Sequence, residues 1–198
     1  MVATLTIETN KLKHRSQQLL VASTELYDKV VLMEAVYDSV YRRHLDEAFV
    51  FAPKGKSLYQ LRGDAQTRAQ ELLNLLTTKH KLPTYTLPGI RFRGALPRGA
   101  AGTATVCENP NRIISLNEIL YYRNYNEFIY SVIPHEVAHV FTCITGGYVG
   151  DEHGEEWESA MIDMHFLNPD DEKTHELDMN PVYRYQLDLS ESMGEIDF

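Results

Sequence analysis

His135-Glu136-Val137-Ala138-His139 stands inside an apolar run, and its reading decides what the rest of the chain has to build. Residues i and i+4 of an α-helix share a face, so two imidazoles can reach one metal ion while Glu136 stays beside the ion's open side. That is the arrangement of a hydrolytic zinc site. The ion lowers the pKa of water from ~15.7 to ~7, and the carboxylate takes the proton as attack on a carbonyl begins. The reading needs two supports, a helix and a third ligand.

The helix is legible. Asn126 reads as its N-cap with Glu127 in the first turn, and Phe128, Val132, Val137, Val140 and Phe141 supply the apolar positions up to a stop at Gly146-Gly147. Pro134 has no N–H, so it either starts a fresh helix at the pentad or kinks a longer one there. Both options keep His135 and His139 on one face.

For the third ligand the spacing favours His153. It follows a glycine-containing turn, Gly146 to Gly150, that can reverse the chain. It also opens a second amphipathic segment in which Trp157, Met161 and Met164 fall at i, i+4 and i+7, ready to pack on the first helix. Three histidines plus water complete a catalytic tetrahedron. Glu155 and Glu156 stay open as glutamate alternatives. A metzincin pattern is excluded, because Thr142 and Thr145 stand where it wants glycine and histidine.

The pentad, its spacer and His153-Gly154-Glu155-Glu156-Trp157 resemble the SprT-like zinc metallopeptidase family, whose pattern is HExxH, a loop, then HGxxW. Ala101-Gly102-Thr103-Ala104 followed by Ile113-Ile114-Ser115-Leu116-Asn117 is similar to the strand pair before the family's active helix. Val132-Ile133-Pro134 and Thr174-His175-Glu176-Leu177 also resemble family stretches. The similarity covers roughly residues 64 to 180. It implies an α+β, zincin-like fold, one Zn²⁺ held by His135, His139 and His153, Glu136 as general base, and protein substrates. The family's eukaryotic Spartan branch degrades proteins crosslinked to DNA. One departure stands out: bacterial members usually carry a C-terminal zinc ribbon of two cysteine pairs, and here that region reads Tyr183-Arg184-Tyr185-Gln186. With only Cys107 and Cys143, no four-cysteine site is expected.

Cys143 lies eight residues after His135, about 12 Å along a helix axis, and reads as a small core residue rather than a ligand. Few cysteines, no cationic start with an apolar core at Met1 to Asn10, and no apolar run of ~18 residues suit a reducing, cytoplasmic setting away from membranes, or a nuclear one in a eukaryote.

Around the pentad the chain divides into a helical extension (1–50), a linker (51–63), the peptidase-like domain (64–180) and an acidic tail (181–198). Leu19, Leu26, Met33 and Val40 recur every seven residues, with Ser23, Val30, Tyr37 and His44 offset by four, so residues 15 to 45 read as one long amphipathic helix. Such a stripe packs on its own domain or on another copy. Residues 65 to 79 form a further helix along Ala65, Ala69, Leu72 and Leu76. Short strands between Thr84 and Asn117, punctuated by glycine and proline, predict a small antiparallel sheet beside the active helix, with Gly102 to Val106 either an edge open to substrate or a core strand.

Charge is split. Residues 1–112 hold 16 Lys+Arg against 10 Asp+Glu, and residues 113–198 hold 3 against 18, so a net −9 hides a basic half and an acidic one. Arg91, Arg93 and Arg98 crowd the strand region near Lys79 and Lys81, where they either meet phosphates of single-stranded or structured DNA or pair with the acidic half; Tyr85 and Phe92 could stack on bases. Three function classes follow: a DNA-associated protease, a general or self-processing peptidase, and a non-catalytic zinc module. The last is disfavoured because a structural site has no use for Glu136. For the oxyanion, Tyr148 or an arginine of the strand region would assist the metal.

Overall fold

The computed structural model describes residues 2–87, 89–96, 99–105, 113–146, 153–165 and 177–194, with backbone alone for 2–12, 14 and 105. The chain divides into two units: residues 1–42 with 187–198, and residues 43–186. In the first, α1 (Val2–Phe49) is a helix longer at both ends than the expected 15–45 segment, and it continues into the second unit.

In the second unit, α2 (Leu58–Lys79) starts earlier than expected and shortens the linker. The cause is local. Ser57 and Gln60 form a capping box, the Ser57 N–H donating to Gln60 Oε1 at 2.8 Å and the Gln60 N–H to Ser57 Oγ at 3.3 Å. Ala65, Ala69, Leu72 and Leu76 are buried as the stripe requires, joined by Leu61 and Leu73.

Three strands follow: β1 (Ile90–Arg93), β2 (Gly102–Thr105) and β3 (Ile113–Asn117), in the order β1-β3-β2. The sheet is mixed rather than antiparallel. β2 pairs with β3 antiparallel, Thr103 opposite Ser115, but β1 runs parallel to β3, Ile90 opposite Ile114. Punctuation in the sequence marks where strands end; the partner is chosen by packing. Gln66 and Gln70 of α2 accept the N–H groups of Ile90 at 2.8 Å and Leu87 at 2.9 Å, which seats β1 beside α2 and leaves β2 the opposite edge. β3 lies in the middle and is buried at every residue.

Asn117 ends β3 and caps α3 (Glu118–Arg123), its side chain accepting the Leu120 N–H at 3.2 Å. Tyr121, fully buried, packs its ring 5.5 Å from Phe128 and donates to the Leu61 carbonyl at 2.5 Å, joining α3 to α2. Beside it Glu118, also buried, accepts from Tyr122 Oη at 2.6 Å and is bracketed by the Arg62 guanidinium. Burial raises the Tyr121 and Tyr122 phenols well above their ordinary range, so both stay neutral hydrogen-bond donors.

The stretch before the pentad corrects the expected cap. Asn126 sits inside α4 (Tyr125–Glu127), which runs through a π-helical turn (Phe128–Val132) into α5 (Ile133–Thr145). Pro134 therefore interrupts a longer helical path. Its ring and missing N–H are incompatible with a regular i→i−4 ladder, and the wider turn, with the Ile133 N–H reaching the Phe128 carbonyl, accommodates it. α5 ends at Gly146, whose φ of 78° is the left-handed cap geometry that glycine adopts without strain.

α6 (Glu155–Asp163) packs on α5 through Trp157, Ala160 and Met161, with Met164 buried just after it. Within the stretch read as an acidic tail (181–198), α7 (Asn180–Gly194) is helical. Val182 and Tyr185, one turn apart, are fully buried, and the Tyr185 ring meets the buried His44 edge-on at 5.6 Å. That apolar spacing outweighs the acidic composition. No helix among the described residues is long and apolar enough to cross a membrane.

Candidate metal centre

His135 and His139 lie one helical turn apart on α5, and His153 stands two residues before α6. Packing of α6 on α5 closes the triangle. The His135 Nε2 is 3.1 Å from His139 Nε2 and 3.1 Å from His153 Nε2, and one ligand atom from each of the three lies within 4.8 Å of the others. A tetrahedral ion with metal–nitrogen bonds of ~2.0–2.1 Å holds its ligand nitrogens about 3.3 Å apart, so the spacing suits a small divalent cation. Glu155 and Glu156, the glutamate alternatives, are exposed on the first turn of α6 and outside this cluster.

Burial is graded across the triangle. His135 is 7% exposed, while His139 and His153 are half-buried, which leaves the cluster open on one side. Desolvation, with the neighbouring His153 adding to it, pushes the His139 imidazole down to about 4, so it is neutral and offers a lone pair at physiological pH.

Trp157 organises the cluster from beneath. Its indole N–H donates to the His135 carbonyl at 3.3 Å, and its rings lie 5.0, 5.9 and 4.6 Å from those of His135, His139 and His153. At 1% exposure it forms the floor on which all three rings rest. As the i+4 partner of His153, read from the sequence as a helix-packing residue, it also supports the three imidazoles directly.

Glu136 is buried, 4% exposed, and turns toward the sheet. There it meets Gly102 at the start of β2. A Cβ on Gly102 would stand 2.7 Å from Glu136 Oε1, 2.9 Å from its Cγ and 3.0 Å from its Cδ. The φ of Gly102 lies outside the left-handed region, so this glycine is required by space and not by backbone conformation. Its role was invisible in the linear sequence, where 34 positions separate it from Glu136.

The profile of the SprT-like family matches residues 69–176, more than half of the chain and inclusive of all three histidines and Glu136. This chain belongs to the SprT-like family. It is 38% identical over 108 residues to Protein SprT of Pasteurella multocida, covering 52% of this chain and 60% of that protein. With Protein SprT of Pseudomonas fluorescens strain Pf0-1 it shares 31% over 120 residues, 60% of this chain and 69% of the other. With that of Vibrio atlanticus it shares 31% over 119 residues, 58% and 67% respectively. The SprT-like chain thus spans about three-fifths of the Pasteurella relative's length. No solved structure matches it.

The other candidate residues of this SprT-like chain divide. Arg91 and Arg93 sit on the exposed face of β1 and make no ion pair with another described residue, whereas Ile90 and Phe92 turn inward. Phe92 is not free to stack on a base: its ring lies 5.4 Å from that of Tyr121, with the Arg62 guanidinium over it at 5.4 Å. Arg98, Tyr148, Cys107 and His175 lie outside the described residues. Internal pairing accounts for other cations of the basic half, with Lys56 on Asp64, Arg62 on Glu118 and Lys79 on Asp163. Cys143, expected as a small core residue, is buried and disulfide-bonded.

Proposed function

We propose that this SprT-like chain is a zinc-dependent endopeptidase acting on protein substrates, within a zincin-like domain. The observation that supports it best is the convergence of His135, His139 and His153 nitrogens with Glu136 buried on the same helix. His135, His139 and His153 would hold the cation. When bound there, it supplies Lewis acidity toward water and toward a carbonyl oxygen.

The chain's own groups do the rest. Glu136 accepts the proton that the attacking water loses and returns it to the leaving amine, a transfer that needs its carboxylate held rather than free to swing. Gly102 and the body of β2 limit that swing. β2 is an edge strand, paired with β3 on one side only among the described residues. An extended peptide added along it would receive main-chain hydrogen bonds and lie beside Glu136. Trp157 keeps the three imidazoles facing inward and excludes water from their rear.

A second reading, action on proteins bound or crosslinked to DNA, is favoured by Arg91 and Arg93. Both are exposed on β1, the strand at the opposite edge of the sheet from β2, and form no described ion pair. Phosphates held there would leave the β2 edge open for the protein substrate. One experiment separates these ideas. Zinc content and cleavage of a DNA-bound protein are measured for the wild type, Glu136→Gln and His153→Ala, with and without single-stranded DNA. The peptidase reading expects Glu136→Gln to keep the metal and lose activity by ~10²–10⁴-fold, and His153→Ala to lose both. Cleavage by Glu136→Gln at the wild-type rate would refute it; equal wild-type rates with and without DNA would refute the second reading alone.

A further inference from the structure

The outer edge of β1 faces a groove that the described chain leaves empty. It lies between β1 and the first half of α2, has a volume of about 760 Å³, and is lined by Tyr59 and Gly63 on one side and Ile90 and Phe92 on the other. Among the described residues β1 pairs with β3 alone, so its other side is a sheet edge. The Ile90 N–H donates to Gln66 Oε1 at 2.8 Å, away from β3. Backbone groups alternate sides along a strand, so the N–H and C=O of Phe92 point away from β3 as well, into the groove. No described residue bonds to them.

Two wall residues are already engaged. Arg62 donates to Glu118 at 2.7 Å and lies over the Phe92 ring, and Gln66 serves Ile90, so both are fixed walls. What the groove offers a ligand is the Phe92 backbone, the Tyr59 ring, 87% exposed, and the bare surface at Gly63. Gly63 is a separate observation. Glycine inside a helix costs about 1 kcal/mol relative to alanine. A Cβ there would meet nothing within 4 Å, so no contact within the described chain requires the glycine, in contrast to Gly102. A bare helix surface facing an unpaired strand edge leaves room for the close approach of another backbone.

A chain that bonds to the Phe92 backbone is an extended peptide, added to the sheet beside β1. Its side chains alternate between two faces. One set enters the groove against Tyr59 and Phe92, and apolar residues suit it. The other set lies on the face of Arg91 and Arg93, both exposed and without an ion pair among the described residues. Opposite charges on neighbouring strands attract, so carboxylates suit that set.

We infer that the β1 edge docks an extended segment of a partner protein with carboxylates at alternate positions. Single-stranded nucleic acid would satisfy the two arginines without following the pleat's period of two. The inference does not rest on the peptidase reading, since it uses no residue of the metal centre.

The test is fluorescence anisotropy with the full-length chain and a fluorescein-labelled, end-blocked peptide of about eight residues that alternates glutamate and valine. The expected result is saturable binding between ~10 and ~300 µM, at least ~10-fold weaker for the isomer with all glutamates before all valines. Gly63→Phe fills the groove without meeting a neighbour, so it should weaken binding at least ~10-fold at unchanged helix content by circular dichroism. Arg91→Glu/Arg93→Glu, at exposed positions, should weaken it about as much and make the chain bind the alternating lysine–valine peptide instead, an exchange that misfolding could not produce. A Gly63→Phe variant that loses helix content leaves the decision to that exchange. No saturable binding by the wild type up to ~1 mM overturns the inference. So does equal binding of the two glutamate isomers, indifference to a folded Gly63→Phe, or failure of the charge exchange. An oligothymidylate that binds where the alternating peptide does not overturns it too, and gives the arginines to phosphate.

Discussion

Replacing Gly102 by alanine adds one methyl group where the structure has no room for it. The new Cβ would stand 2.7 Å from Glu136 Oε1, against 3.4 Å or more for ordinary contact, so the carboxylate must retreat by 0.7 Å, the difference of the two. The neighbouring Cγ and Cδ distances of 2.9 and 3.0 Å mean that a rotation of the terminal carboxylate alone does not relieve the clash. A misplacement of about 1 Å in reacting groups costs on the order of 10²-fold in rate, or roughly 2.7 kcal/mol in activation free energy. The overpacking itself costs about 1–3 kcal/mol of stability. The metal ligands are untouched by the added methyl. Gly102→Ala should therefore bind zinc at wild-type stoichiometry yet cleave a fluorescein-labelled casein with kcat lowered about 100-fold. The assay is steady-state cleavage beside metal analysis and a crystal structure of the variant. Activity within threefold of wild type, or a variant structure with Glu136 unmoved, would refute the argument that Gly102 sets the position of the base.

Two further outcomes follow from contacts around the site. Trp157→Phe keeps an aromatic floor but removes the N–H donated to the His135 carbonyl and part of the buried ring, so stability should fall by about 2–3 kcal/mol, or roughly 4–12 °C in Tm, and zinc affinity by ~10–100-fold. Unchanged zinc affinity by competitive chelation would show that the indole only fills space. Asp163, which ties α6 to the end of α2, accepts from Lys79 Nζ at 2.7 Å and lies 2.6 Å from His80 Nε2. Burial raises its pKa, but these bonds outweigh burial and hold it below the ordinary 3.8. A depressed carboxylate stabilises the fold above the unfolded-state pKa, and the contribution is lost as pH falls through the folded value. Wild type should thus exceed Asp163→Asn by about 1 kcal/mol in urea unfolding at neutral pH, with the gap closing below pH ~3.8. A gap that persists at pH ~2.5 would contradict the assignment.

Much of the site was legible in the sequence because its determinants are local. The i, i+4 spacing of His135 and His139 places two imidazoles on one face of any helix, and the glycine at 146 ends that helix wherever it packs. The Trp157, Met161 and Met164 spacing likewise marks the side of α6 that must be buried. Where the structure departs from the apolar pattern, a second local signal or a non-local contact decides. The Ser57-Gln60 capping box was present and brings α2 back to Leu58; the Val182-Tyr185 pair was present and makes α7 a helix inside an acidic stretch.

What only the tertiary structure decided concerns partners distant along the chain. No periodicity reveals that β1 lies parallel to β3, because a strand's own pattern reports which face is buried and not which neighbour supplies the hydrogen bonds. The π-helical turn at Phe128–Val132 depends on how a proline is reconciled with a helix that packing requires to continue. Glu136 was nameable from its pentad alone, but its orientation belongs to Gly102, brought against it by the fold. Sequence periodicity determines what each element must bury; contact between elements determines where a reactive group is held, since excluded volume acts only between atoms that the whole fold has already brought together.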